Sequence, residues 1–312
     1  MAVKRKISSV HWDSIVRGID TGLCVPFLGA GVNASTDLPM GGDVARYLLG
    51  KLLGRSVADF KDLVEITPKR ALRRYPDLGR ARVHDLARVA LHLELEGNYP
   101  AVVDYLKEII ADEDCEPAGM LLTLARMPFP LIVTTNYDRL MEKAFEAEEQ
   151  PRPLVLSQPI DGFAADEVEA WQRKLAGEER LIYKLHGSFD DPRPNLVISE
   201  DDYIEFLGIA ADEKLGVPRQ IKARIQDSVL LFVGYGLEDW DVRTIYNLLI
   251  EKAPRRSRNM SFAIQKAPTP FWARFWEKKG VTIYDIDLDE FAKQLEREYA
   301  RRSKPRRSTV GG

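Results

Sequence analysis

The chain has 312 residues, 45% apolar and 30% charged, with a formal net charge of −3, enough to bury one large core or two modest ones and without a general basic field for nucleic acid. No apolar run is long enough to cross a bilayer, and the opening Met1-Ala2-Val3-Lys4-Arg5-Lys6 has no signal-peptide apolar stretch, so the expectation is a cytoplasmic protein with no membrane partner. Cys24 and Cys115 are the two cysteines; they suit neither a disulfide framework nor a four-cysteine zinc site, and no metal is expected.

Cys24–Leu28 is the first of a series of short apolar runs. Leu131–Thr135, Leu181–Leu185, Val229–Gly234, Ser261–Ile264 and Val281–Tyr284 follow. Most are rich in Val, Ile, Leu and Phe instead of alternating with polar residues, as strands covered on both faces should be. Helical periodicity falls between them, over Gly42–Leu53, Asp138–Ala147, Trp240–Lys252, Pro270–Lys279 and Asp289–Arg302. This alternation predicts an α/β fold, a Rossmann-like mostly parallel sheet with helices on both faces.

Residues 55–120 break the rhythm. Ser56–Ile66, Lys69–Tyr75, Ala81–Leu95 and Pro100–Ala111 have helical patterns and no strand, so they read as a helical module inserted between 1–54 and 121–300. Gln150–Gly177, with several prolines and Trp171, reads as a lid or interface, and 301–312 as a disordered tail. The basic clusters Lys69–Arg82 and Arg301–Arg307 read as solvated surface, not as nucleic-acid patches. In Phe271-Trp272-Ala273-Arg274-Phe275-Trp276 the aromatics recur at helical spacing, which suits a core face better than an interface.

Four motifs follow apolar runs. Gly29-Ala30-Gly31-Val32-Asn33 supplies glycines, which allow backbone N–H groups to approach an anion; no third glycine completes the GxGxxG of a hydride-transferring dehydrogenase. Thr134-Thr135-Asn136-Tyr137-Asp138 ends with an amide and a carboxylate. Asp138 suits a helix cap without being excluded from a ribose contact, and the Asn136 amide suits a ribose hydroxyl or a water. Lys184-Leu185-His186-Gly187-Ser188 offers an imidazole able to act as a base near neutral pH. Gly234-Tyr235-Gly236-Leu237-Glu238-Asp239-Trp240-Asp241 repeats the glycine theme, and Asp239 or Asp241 serves as a cap or as a contact to an adenosine ribose.

Taken together and in this order, the GAG loop with its Leu38-Pro39 continuation, the TxNxD motif, the HG motif and the final GYGLEDWD stretch resemble the zinc-less bacterial sirtuin-like (SIR2-like) domains of NAD-degrading antiphage defence. The resemblance spans roughly residues 24–250. It implies NAD⁺ as substrate and cleavage of the nicotinamide–ribose bond. It also implies a homo-oligomer, with a separately encoded hexameric translocase-type ATPase as a candidate partner. On this reading Gly29, Ala30, Gly31, Val32 and Asn33 bind the dinucleotide with Thr135, Asp138, Gly234, Tyr235, Gly236, Asp239 and Asp241, while Asn136 and His186 are catalytic. Where a deacylating sirtuin has serine this chain has Asn33, and Met40-Gly41-Gly42 stands where that family has Asp-Phe-Arg. Deacylation or ADP-ribosyl transfer is therefore an alternative, as is a non-catalytic NAD or ADP-ribose sensor.

Overall fold

A strand whose side chains point alternately to two packed layers has no polar face to show, and this is how the apolar runs fold. In the computed structural model, residues 4–54, 73, 75, 78, 85–96, 99–110, 114–164, 167, 180–191, 196–212, 215–251 and 260–303 are described. The strands are β1 (Cys24–Leu28), β2 (Leu131–Thr134), β3 (Leu154–Ser157), β4 (Leu181–Lys184), β5 (Val229–Val233), β6 (Ser261–Ile264) and β7 (Val281–Tyr284). All pair in parallel, in the order β3-β4-β2-β1-β5-β6-β7. Six strands coincide with the predicted runs within a residue. The seventh, β3, lies in the stretch read as a lid or interface.

The helices among the described residues are α1 (Ser9–Asp20), α2 (Gly41–Leu52), α3 (Leu86–Leu95), α4 (Tyr99–Ile109), α5 (Gly119–Arg126), α6 (Leu140–Ala147), α7 (Glu200–Ala211), α8 (Arg219–Asp227), α9 (Trp240–Tyr246), α10 (Pro270–Lys278) and α11 (Leu288–Arg302). A π-helical turn, Asn247–Glu251, continues α9. Cys24, Leu28, Ile132, Leu231 and Phe262 point to one side of the sheet and pack against α1, α5, α6 and α11. Val25, Phe27, Val133, Phe232 and Ala263 point to the other side, toward α7, α8, α9 and α10. The period-two alternation therefore divides the sheet between two cores. Pro26 is tolerated in central β1 because its missing N–H would face β2, and the β2 ladder starts only at Phe27.

A third core lies off the sheet. Val44 and Leu48 of α2, Val89 and Leu93 of α3, and Val102 and Leu106 of α4 bury one another together with Leu196 and Ile198. The sequence readings over Ser56–Ile66, most of Lys69–Tyr75, Trp171, and the tail past Ser303 lie outside the described residues. Arg302 closes α11 and pairs with Asp13 of α1 and Glu298. Trp276 is fully buried at the sheet, while Phe271 on the same helix is exposed. Among the described residues no helix is long and apolar enough to cross a membrane.

Candidate functional site

The chain runs from β1 to β2 on one side and later returns to β5 on the other, so the strand order reverses at β1. Loops diverge there past the carboxyl ends of the strands and leave a crevice, the usual ligand position in an open α/β sheet. A cavity of about 590 Å³ occupies it, a size suited to a small-molecule ligand.

The glycine loops make this crevice by packing on each other. The Gly29 N–H donates to the Val233 carbonyl at 3.0 Å and the Gly31 N–H to the Gly234 carbonyl at 2.8 Å, while the Val32 N–H returns to Gly29. A Cβ at Gly31 would lie 2.7 Å from the Gly234 oxygen, and one at Gly234, where φ is +76°, would lie 2.2 Å from the Val32 nitrogen. The glycines are thus required for loop-on-loop contact, and three of the amides expected to cradle phosphate are engaged within the protein. The Ala30 N–H is not among these donors.

The loop after β2 is braced by its own side chains. The Thr134 hydroxyl donates to the Leu28 carbonyl and accepts from the Asn136 N–H. The Thr135 hydroxyl meets the Tyr235 hydroxyl at 3.2 Å, and the Asn136 amide donates to the Gly29 carbonyl at 3.4 Å. Asp138 is buried; it accepts the Leu140 N–H at 3.0 Å and the Asn33 amide at 2.9 Å. It is therefore both a cap for the start of α6 and a brace for the first glycine loop. The other end of that amide, Asn33 Oδ1, is a buried acceptor with no partner among the described residues.

A residue that sequence reasoning missed holds this loop from below. Lys184 has no exposed surface, and its Nζ meets the Asp138 carbonyl at 2.6 Å, Glu142 at 2.8 Å and the Ser188 hydroxyl at 3.3 Å. The lysine ties the TxNxD loop to the HGS loop and α6. Its place directly before Leu185-His186 is the one sequence cue, but a lysine inside an apolar run reads as a strand end.

Ala30, Gly31, Asn33, Thr135, Asn136, Asp138, Gly234, Tyr235, Gly236 and Asp239 all line the cavity. Gly29 and Val32 are not part of that lining, and Val32 packs its side chain into the sheet core. Asp239 occupies the cap position of α9 without a side-chain cap bond, and the Asp241 side chain lies outside the described residues. The opposite wall comes from the helical cluster and its approaches, with Leu38, Met40, Val44, Asp85, Leu86 and Ile110. Three aspartates, Asp85, Asp138 and Asp239, line the cavity, and no lysine, arginine or histidine does among the described residues. Among the described residues no group of three or more His, Cys, Asp or Glu side chains is placed to hold a metal ion.

His186 is set apart from this lining. It is 2% exposed, and Tyr203 and Phe206 close on its ring. Burial alone pushes its pKa down to about 3. Tyr203, which the sequence does not single out, lines the cavity.

Residues 130–284 match the family described as the SIR2-like domain. The chain is similar to "Defense-associated sirtuin 2" of Bacillus subtilis, 27% identical over 170 residues that make up 51% of this chain and 15% of that protein. It is also similar to "NAD(+) hydrolase ThsA" of Bacillus cereus (strain MSX-D12), 27% identical over 164 residues that make up 52% of this chain and 31% of that protein. The matched segments therefore cover less than a third of either relative. A solved sirtuin chain overlaps 90% of this chain and 94% of its own length with a TM-score of 0.40 and 15% identity, too distant to speak for chemistry.

Proposed function

From the match of residues 130–284 to the SIR2-like domain we propose that this chain hydrolyses NAD⁺ to nicotinamide and ADP-ribose, depleting the dinucleotide in defence against phage. The observation that carries the reading is the convergence of Asn136, Thr135, Asn33 and both glycine loops on one cavity at the reversal of strand order, in a chain similar to a protein named as an NAD⁺ hydrolase.

The chemistry asks little of a general acid, because the bond to a pyridinium nitrogen breaks with a neutral leaving group. Water adds to the ribose C1′, the electron pair of the C–N bond leaves with nicotinamide, and the proton of the water goes to a base. The sugar passes through an oxocarbenium-like transition state, as in other glycoside cleavages. The carboxylate-rich lining favours that cationic state and the cationic pyridinium before it. Asn136, its Nδ2 turned to Gly29, orients the ribose or the water; Asn33 Oδ1 accepts from a ligand donor; His186 takes the proton. The proposal extends to a homo-oligomer and to control by a separate partner.

Nicotinamide release from NAD⁺ by the full chain tests the reading. His186→Ala and Asn136→Ala should each lower the rate by about 10²–10⁴. Rates unchanged by both would overturn it. A second reading, an NAD or ADP-ribose sensor without turnover, draws on the retreat of His186 from the cavity; it requires tight binding with no nicotinamide released.

A further inference from the structure

A buried imidazole nitrogen without a hydrogen bond is costly, on the order of 1–3 kcal/mol, and such a group in a folded protein calls for an explanation. His186 Nε2 is one, unpartnered among the described residues. Its ring is held by two aromatic rings three residues apart on α7. Tyr203 meets it edge to face at 5.1 Å and 86°, and Phe206 at 5.4 Å and 84°. Of these two rings, only Tyr203 also lines the cavity, so it touches both the ligand space and the imidazole.

The helix that carries Tyr203 is fixed at its start. The Ser199 hydroxyl accepts the Asp202 N–H, and the Asp202 carboxylate accepts the N–H groups of Ser199 and Ile198, a capping box. Arg88 of α3 clamps Glu200 at 2.6 Å. With the backbone held, the Tyr203 ring has its own side-chain torsions as the means of moving.

Resting on the reading of His186 as the base of the hydrolysis, we propose that Tyr203 is its positioning residue. The Tyr203 ring holds the imidazole edge-on, off the cavity, and turns aside as the dinucleotide seats, so that Nε2 meets the attacking water. The imidazole then receives the proton of that water as its oxygen bonds to C1′ and the C–N pair departs with nicotinamide. Phe206, 1% exposed, remains as the fixed wall. In the closed arrangement the imidazole is a weak base because burial disfavours its charged form. Neither Lys184 of β4, nor Asp202 of α7, nor Glu94 of α3 contributes to that shift. Opening toward the ligand restores basicity where it is used.

The test follows the ring titration of His186 by NMR in the full chain, with His186→Gln to assign the signal among the four histidines, beside the pH profile of NAD⁺ hydrolysis. Tyr203→Ala should raise the titration by more than about one unit toward the ordinary histidine value and carry the acid limb of kcat/KM with it. Tyr203→Phe, which keeps the ring, should retain the wild-type titration. Saturating ADP-ribose should raise the titration in the unaltered chain. If Tyr203→Ala does not fold, Tyr203→Gln stands in for it. A titration unmoved by loss of the ring overturns the proposal. Absence of nicotinamide release from the unaltered chain would instead defeat the functional reading, while the titration, which needs no turnover, still decides the role of Tyr203.

Discussion

Glu94 of α3 is a carboxylate placed where a carboxylate is least welcome. Burial first, then the charge of Asp202, pushes its pKa up to about 7 against an ordinary 4.5, despite a hydrogen bond from Ser199 that pulls the other way; Asp201 adds to the rise. One of its oxygens, Oε1, is buried without a partner among the described residues. The folded chain therefore binds this proton more tightly than the unfolded chain does. The resulting penalty is absent below pH 4.5, grows as pH rises toward 7, and persists in full above it. Glu94→Gln should raise the melting temperature above pH 7, with the gain shrinking to nothing as pH falls to 4.5. A gain that is the same at all pH values would mean that the carboxylate charge is not the cause. No sequence pattern marks Glu94, because its cost arises from burial in the folded chain and then from Asp202 and Asp201, more than a hundred residues away. Tyr203 is hidden for the same reason: on α7 it stands between Asp202 and Ile204 with nothing to set it apart until the fold brings His186 against it.

Among elements, the two glycine loops show how a sequence signal can be located correctly and explained differently by geometry. Gly29, Gly31 and Gly234 lie at the site, as the spacing implies, but the proximate demand on them is the loop-to-loop approach. Gly234→Ala forces a Cβ to 2.2 Å from the Val32 nitrogen at φ +76° and should cost upwards of about 2 kcal/mol. Gly208, inside α7 with open space where a Cβ would project, behaves oppositely: Gly208→Ala should add up to about 1 kcal/mol. Denaturant unfolding of both variants checks the pair, and a tolerated Gly234→Ala would show that the loops do not pack as described. Six strands are legible because double-sided burial writes an uninterrupted apolar run. The edge strand β3 is not: Leu154, Val155 and Ser157 are only half-buried and Pro151 and Pro153 precede them, so its signal is that of a loop. Helices α7 and α8 escape the pattern as well, α7 because acidic residues fill its first turn and α8 because only Ile221 and Ile225 mark its buried face.

At the scale of the whole molecule, the cavity joins units that otherwise have separate cores. Its floor is built from loops at the ends of β1, β2 and β5, whereas Val44, Leu86 and Ile110 on its far wall belong to or pack around the α2–α3–α4 cluster. A ligand spanning it adds contacts that neither core supplies alone. Binding at a hundredfold excess over Kd stabilises the folded state by about 2.7 kcal/mol, and the structure says where that energy is felt. Hydrogen exchange in the presence of ADP-ribose should slow together in residues 134–140 and in α3, since both sides of the cavity close on one molecule. Protection restricted to the strand-end loops would leave the helical cluster a bystander, and the cavity would then be an outer vestibule with the ligand held by the sheet alone. Protection in both would make the α2–α3–α4 cluster part of the binding apparatus, and would give the clamp from Arg88 to Glu200 the task of holding that wall and the Tyr203 helix as one body.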